Sequence, residues 1–148
     1  MSLQEEIGSA LKEGMRARDE AKMSSLRLLL TAIKKREKDV RRSLKDEEVI
    51  GLISSQVKQR HEAIESYRSA GREDLATLEE RELEVLQGFM PEQLSEEEMA
   101  KAVDEIIAEV GAVSMKDMGQ VMKAAMVKLA GRADGRTINS LVKAKLSS

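Results

Sequence analysis

The residue types that do chemistry in proteins are sparse in this chain. There is one histidine, His61, set between Arg60 and Glu62. A histidine-based metal site needs further ligands at suitable spacing, and no His-Glu-x-x-His pattern occurs. Cysteine is absent, which removes disulfides, thiolate metal sites and thiol nucleophiles. The serine pairs Ser24-Ser25 and Ser54-Ser55 have no histidine beside them, and a serine without a base is not an activated nucleophile. Carboxylates cluster at Glu47-Glu48, Glu79-Glu80 and Glu96-Glu97-Glu98. These fall in first turns or on charged faces of expected helices, where they complement the helix dipole or the solvent. Gly131-Arg132-Ala133-Asp134-Gly135-Arg136 reads as a helix-to-helix turn rather than a phosphate cradle, because no strand precedes it. The inventory points to no catalytic residue, no metal site and no cofactor.

The remaining signal is cationic. The net charge is −2, but from Lys22 to Lys45 nine basic residues face two acidic ones. From Glu73 to Glu109 thirteen acidic residues face two basic ones, and from Lys116 to Lys145 seven basic face two acidic. Such blocks can attract one another within a fold or stand as solvated faces. They can also meet a phosphate backbone. Tyr67 and Phe89 are the only aromatics, so stacking on bases is nearly unavailable and RNA would be met through backbone and shape. Lys123, Lys128, Arg132 and Arg136 follow one helix and the turn after it, with Lys143 and Lys145 on the next.

The elements that carry these residues read as helices throughout. Helix formers dominate, there is one proline, and no strand-like alternation appears. Ser2 with Glu5 has the form of a capping box, and Leu3, Ile7, Ala10, Leu11 and Met15 keep helical spacing. Asp19 can cap a second helix carrying Met23, Leu26, Leu29, Leu30 and Ile33. The stripe ends there, so Lys34 to Arg42 is expected to project into solvent. Ser43, with Asp46 three residues on, can start a third helix of about 25 residues, roughly 37 Å long. Its positions Ile50, Ile53, Val57, Ile64 and Tyr67 form a seam for a neighbour, within the fold or in a dimer. Gly71 stands where a C-terminal cap would. A fourth helix over 72–87 is expected to bury Leu75, Leu78, Val85 and Leu86. Gly88-Phe89-Met90-Pro91 breaks the pattern and sets a boundary, dividing the chain into a long-helix domain, 1–90, and a small three-helix domain, 91–148. In the second, Ser95 with Glu98 and Ser114 with Asp117 are start signals, Gly111 and Gly131 are stops, and Asp134 can cap the last helix. Met118, Val121, Met122, Ala125, Met126 and Leu129 make the apolar face of the middle helix. The expected class is all-α.

Several of these stretches are similar to a known family. Phe89-Met90-Pro91-Glu92-Gln93-Leu94-Ser95 resembles the inter-domain signature of the YqeY family. So do Asp117-Met118-Gly119-Gln120-Val121-Met122-Lys123, the 131–136 turn and Asn139-Ser140-Leu141-Val142. Met23 to Leu29 and Lys58 to Arg72 resemble its first part. The family shares its C-terminal module with the tail of the GatB component of the glutamine-dependent tRNA amidotransferase. The resemblance implies a non-catalytic, tRNA-associated helical module that contacts phosphates through Lys123, Lys128, Arg132, Arg136 and Lys143. It also admits a protein adaptor docking on an aminoacyl-tRNA synthetase or amidotransferase. A carbon–nitrogen ligase with glutamine as nitrogen donor is a third reading, which the residue inventory does not supply. The N-terminus is acidic and lacks a long apolar run, so it does not read as a signal peptide. No stretch reaches the roughly 20 apolar residues of a membrane span. The expected location is the cytoplasm, with no membrane partner.

Overall fold

The computed structural model describes residues 1–147 and is helical, with no strand among them. The chain forms two compact units, Met1–Met90 and Pro91–Ser148.

The first unit holds α1 (Leu3–Ala17), α2 (Glu20–Val40), α3 (Asp46–Ser69) and α4 (Glu73–Gln87). The first two starts follow their capping residues: Ser2 Oγ accepts from the Glu5 N–H at 3.2 Å, and Asp19 Oδ1 from the Lys22 N–H at 3.1 Å. Each bond satisfies a donor that the first helical turn cannot. The third start differs from expectation. Leu44 turns inward, 9% exposed, and its N–H donates to the Glu37 carboxylate of α2 at 2.9 Å. That keeps residues 43–45 out of helical geometry, so α3 begins at Asp46 rather than Ser43. Glu48 completes the junction. Its carboxylate accepts from the Lys45 N–H at 3.1 Å and from both terminal nitrogens of Arg42 at 2.7 and 3.0 Å.

The core of this unit is aliphatic: Ile7, Leu26, Leu29, Ile33, Leu44, Val49, Ile53 and Leu86 form one cluster. Ile64, Ala76 and Leu83 form a smaller one between α3 and α4. Leu78, expected inside, is 54% exposed. Helical period places it well away from the Ala76–Leu83 stripe. The side of α4 between them is taken by Glu79 and Glu82, whose carboxylates both accept from Arg60 Nη1 at 2.7 Å. Where α1 meets α2 the backbones crowd: a Cβ added to buried Gly14 would lie 2.8 Å from Lys22 Cβ.

The second unit holds α5 (Glu96–Val110), a 3-10 turn (Met115–Asp117), α6 (Met118–Lys128) and α7 (Gly135–Ser147). Ser95 and Glu98 close a reciprocal capping box, each bond 3.1 Å. Gly111 ends α5 at φ 73°, a left-handed geometry glycine adopts without a Cβ clash. The start signal at Ser114 produces the 3-10 turn before α6. The core comprises Met99, Val103, Ile106, Val121, Ala125, Leu129, Ile138, Val142 and Leu146. Met126, assigned by spacing to the apolar face, is 50% exposed, because Val121, Ala125 and Leu129 already fill that face. Residues before α5 are strapped to the turn before α7. The Leu94 N–H donates to the Arg132 carbonyl at 2.8 Å, and Gln93 Nε2 to the Gly131 carbonyl at 2.5 Å.

Two outcomes follow from the first unit. Alanine gains about 1 kcal/mol over glycine in a helix interior, but overpacking costs about 1–3 kcal/mol. Gly8→Ala, with open space around its Cα, should therefore raise stability in urea unfolding, and Gly14→Ala should lower it. Equal shifts would refute the close approach. Second, the Arg42 fork, then the Lys45 N–H, hold the Glu48 carboxyl down at about 2, against 4.5 for a free side chain. A lowered folded-state pKa stabilises above the unfolded value and ceases to do so as pH falls through the folded one. The α2–α3 junction should weaken between those two pH values. Carboxyl NMR titration should place the Glu48 midpoint near the lower one, and Arg42→Ala should return it toward the ordinary glutamate range.

Candidate nucleic-acid interface

Between Met118 and Ser147 the chain has one acidic residue, Asp134. All five residues expected to meet phosphate are exposed: Lys123 and Lys128 on α6, Arg132 in the turn, Arg136 and Lys143 on α7. They are not equally available.

Arg136 and Lys143 are seven residues apart on α7, so they share one face, separated by about 10.5 Å along the axis. Asn139 and Ser140 lie between them on that face and are exposed. The opposite face carries buried Ile138, Val142 and Leu146, which fixes the polar stripe outward. Met126 packs over the first residue of α7, its Cε 3.8 Å from where a Gly135 Cβ would stand. Lys123 is one turn before Met126 on α6. This contact brings the Met126 turn of α6 to the start of α7. Among the described residues, Lys123, Arg136 and Lys143 take part in no ion pair.

Lys128 and Arg132 are engaged. Lys128 pairs with Glu109 at the end of α5, turning it to the α5 flank. Arg132 Nε donates to the Glu92 carbonyl at 3.4 Å, while its own carbonyl holds Leu94. Its charge also acts on Glu98, whose carboxyl is lowered first by the Ser95 N–H, then by the Ser95 hydroxyl, and less by Arg132. Arg132 therefore helps fasten the strap as well as presenting charge. Gly131 permits the turn at φ 72°. The α7 start adds the positive end of its dipole to this region.

The first unit presents a different surface. A groove of about 390 Å³ is lined by Tyr67, Leu75 and half-exposed Leu78, with Asp19, Glu20 and Glu82 around them. Spacing alone did not reveal it, since it requires Leu78 to stand outside the core. The residues considered for chemistry do not converge. His61 is exposed on α3, and the buried Ser25 hydroxyl donates to the Ala21 carbonyl at 2.6 Å. Among the described residues, no group of three or more His, Cys, Asp or Glu could hold a metal ion. No helix among them is long and apolar enough to cross a membrane.

Comparison with known proteins adds a lineage. The chain is 32% identical over 116 residues to "Altered inheritance of mitochondria protein 41, mitochondrial" of Vanderwaltozyma polyspora, covering 73% of this chain and 62% of that protein. The protein of the same name from Pyrenophora tritici-repentis is 30% identical over 128 residues, 83% of this chain and 68% of the relative. A stretch of 57 residues, 36% of this chain, is 42% identical to the E-type subunit of the glutamyl-tRNA(Gln) amidotransferase of Thermococcus gammatolerans, of which it covers 9%. The family model described as Yqey-like protein matches residues 4–146. With nearly the whole chain matched, this protein belongs to the YqeY-like family.

Proposed function

We propose that this chain is a non-catalytic, tRNA-associated helical module whose second unit meets RNA phosphates. Lys123, Arg136 and Lys143 are the free contacts. Lys128 and Arg132 join them once released from Glu109 and the Glu92 carbonyl. The carrying observation is the one-signed surface of α6 and α7, with unpaired cations at Lys123 on α6 and at Arg136 and Lys143 along one face of α7. The likeness to an amidotransferase component over 57 residues supports the same reading. With no aromatic beyond Phe89, contacts go to the backbone, which positions a protein without reading sequence. The cysteine-free composition suits a reducing compartment, and we assign the cytoplasm; the mitochondrial designation belongs to the relatives' names.

A second reading, an adaptor for a tRNA-charging or amidotransferase complex, is favoured by the groove beside Leu78. A carbon–nitrogen ligase reading, with glutamine as nitrogen donor, finds no support in the positions of Ser25 and His61.

The test is binding of bulk deacylated tRNA across a salt series. Each phosphate neutralised adds about −0.9 to the log–log slope on duplex. Lys123→Gln/Arg136→Gln/Lys143→Gln should therefore flatten the slope by about 3. In the same titration Glu109→Gln, which releases Lys128, should steepen it by up to about 1. An unchanged slope in the triple variant would remove the assignment of this face. Absence of any binding at low salt would leave the adaptor reading.

A further inference from the structure

We infer that the solvent-facing end of α2 is a second phosphate-contacting surface, on the first unit, for the same class of ligand: an RNA backbone. The inference rests on the RNA reading above but on different residues and different observations.

Past Ile33, α2 continues for two more turns, to Val40. Only Ile33 and Val40 of this stretch pack on the core. Glu37 is spent inward on the Leu44 N–H and pairs with Lys34 at 3.5 Å, and Arg42 is held by Glu48. Lys35, Arg36, Lys38 and Arg41 are left, all exposed. They are distributed around the solvent side of the helix, with Asp39 the one carboxylate among them. Among the described residues they form no ion pair, and no other run of seven residues holds four such cations.

The helix dipole does not account for the set. A cation at a C-terminus is favourable, but the effect falls off within the last turn, and these four extend over two. Nor is the patch built for a protein. Protein interfaces are anchored by apolar or aromatic side chains in pockets, and none of the large exposed apolar residues lies between Lys34 and Arg42. A phosphate backbone asks only for charge and donors, which lysine and arginine supply. Of the carboxylates that follow in the first turn of α3, Glu48 is already occupied by Arg42 and Asp46 by the Leu3 N–H.

The experiment extends the same salt series with tRNA. If seven cations contact phosphate, wild type should show a slope of about −6, and Lys35→Gln/Arg36→Gln/Lys38→Gln/Arg41→Asn about −3. Asparagine suits the left-handed backbone of position 41, φ 59°, so the variant should keep its helix content by circular dichroism. Lys35→Arg/Lys38→Arg should keep the full slope. The control is Arg16→Gln/Arg18→Asn, at the other end of the α1/α2 pair. Lys35 is fifteen residues past Glu20 on α2, about 22 Å of helix, so this end lies more than two screening lengths of about 8 Å from the patch. It should bind as wild type does. A wild-type slope in the α2 variant overturns the inference, as does an equal loss in the control, which would mean net charge alone. Loss in the α2 variant with none in the Lys123/Arg136/Lys143 variant would remove the second-unit assignment and leave this one standing. No binding by wild type removes both.

Discussion

A core made without aromatic rings constrains everything else in this molecule. Tyr67 and Phe89 are only partly buried, at the margins of their clusters. The interiors are built from Ile, Leu, Val, Ala and Met, each large one adding about 1.5–3 kcal/mol when fully buried. Small side chains fill space only if helices come close. Gly14 under Lys22, Ala76 against α3 and Ala125 within the second unit are the places where this shows. Such interiors leave little room for polar groups. Among the described residues, Ser25 is the one fully buried polar side chain, and it satisfies itself on its own helix. The polar groups that do enter the interior gather at Arg60, where Glu79 and Glu82 meet its guanidinium.

On the surface, pairing decides which charges are available. Arg60, with an 11% exposed side chain, spends one nitrogen on two carboxylates and ties α3 to α4. Lys145 reaches Asp104 at 2.7 Å, tying α7 to α5. Arg68 and Arg72 pair with carboxylates of α4 on the exposed rim. Exposed pairs of this kind contribute about 0–1 kcal/mol. Their larger consequence is that they remove cations from the set that can meet a ligand. Counting lysines and arginines along the chain overstates the basic surface; among the unpaired ones, the end of α2 holds the densest run.

Much of the fold was legible because local chemistry sets helix ends. Ser2, Asp19 and Ser95 cap where their side chains can reach a free N–H. Gly71, Gly111 and Gly131 take the left-handed backbone. What escaped depends on registers that periodicity does not encode. Arg18 and Arg41 take left-handed geometry without being glycine. Leu44 displaced the α3 start by docking on the core. Leu78 stands outside and Leu83 inside because Arg60 turned the Glu79–Glu82 edge of α4 toward α3. The candidate site divided in the same way. Its residue types and exposure could be read from sequence. That Lys128 is occupied by Glu109, nineteen residues away, could not, because the pair exists only once α5 and α6 pack.

The uneven placement of aromatic residues has an optical consequence. There is no tryptophan, and both Tyr67 and Phe89 precede Pro91. Tyrosine emission and near-ultraviolet dichroism therefore originate wholly in the first unit, from a ring packed against the Ile64–Ala76–Leu83 cluster. Far-ultraviolet dichroism records the helices of both. Comparing the two signals in one unmodified sample separates the melting of one half from that of the other, with no label attached.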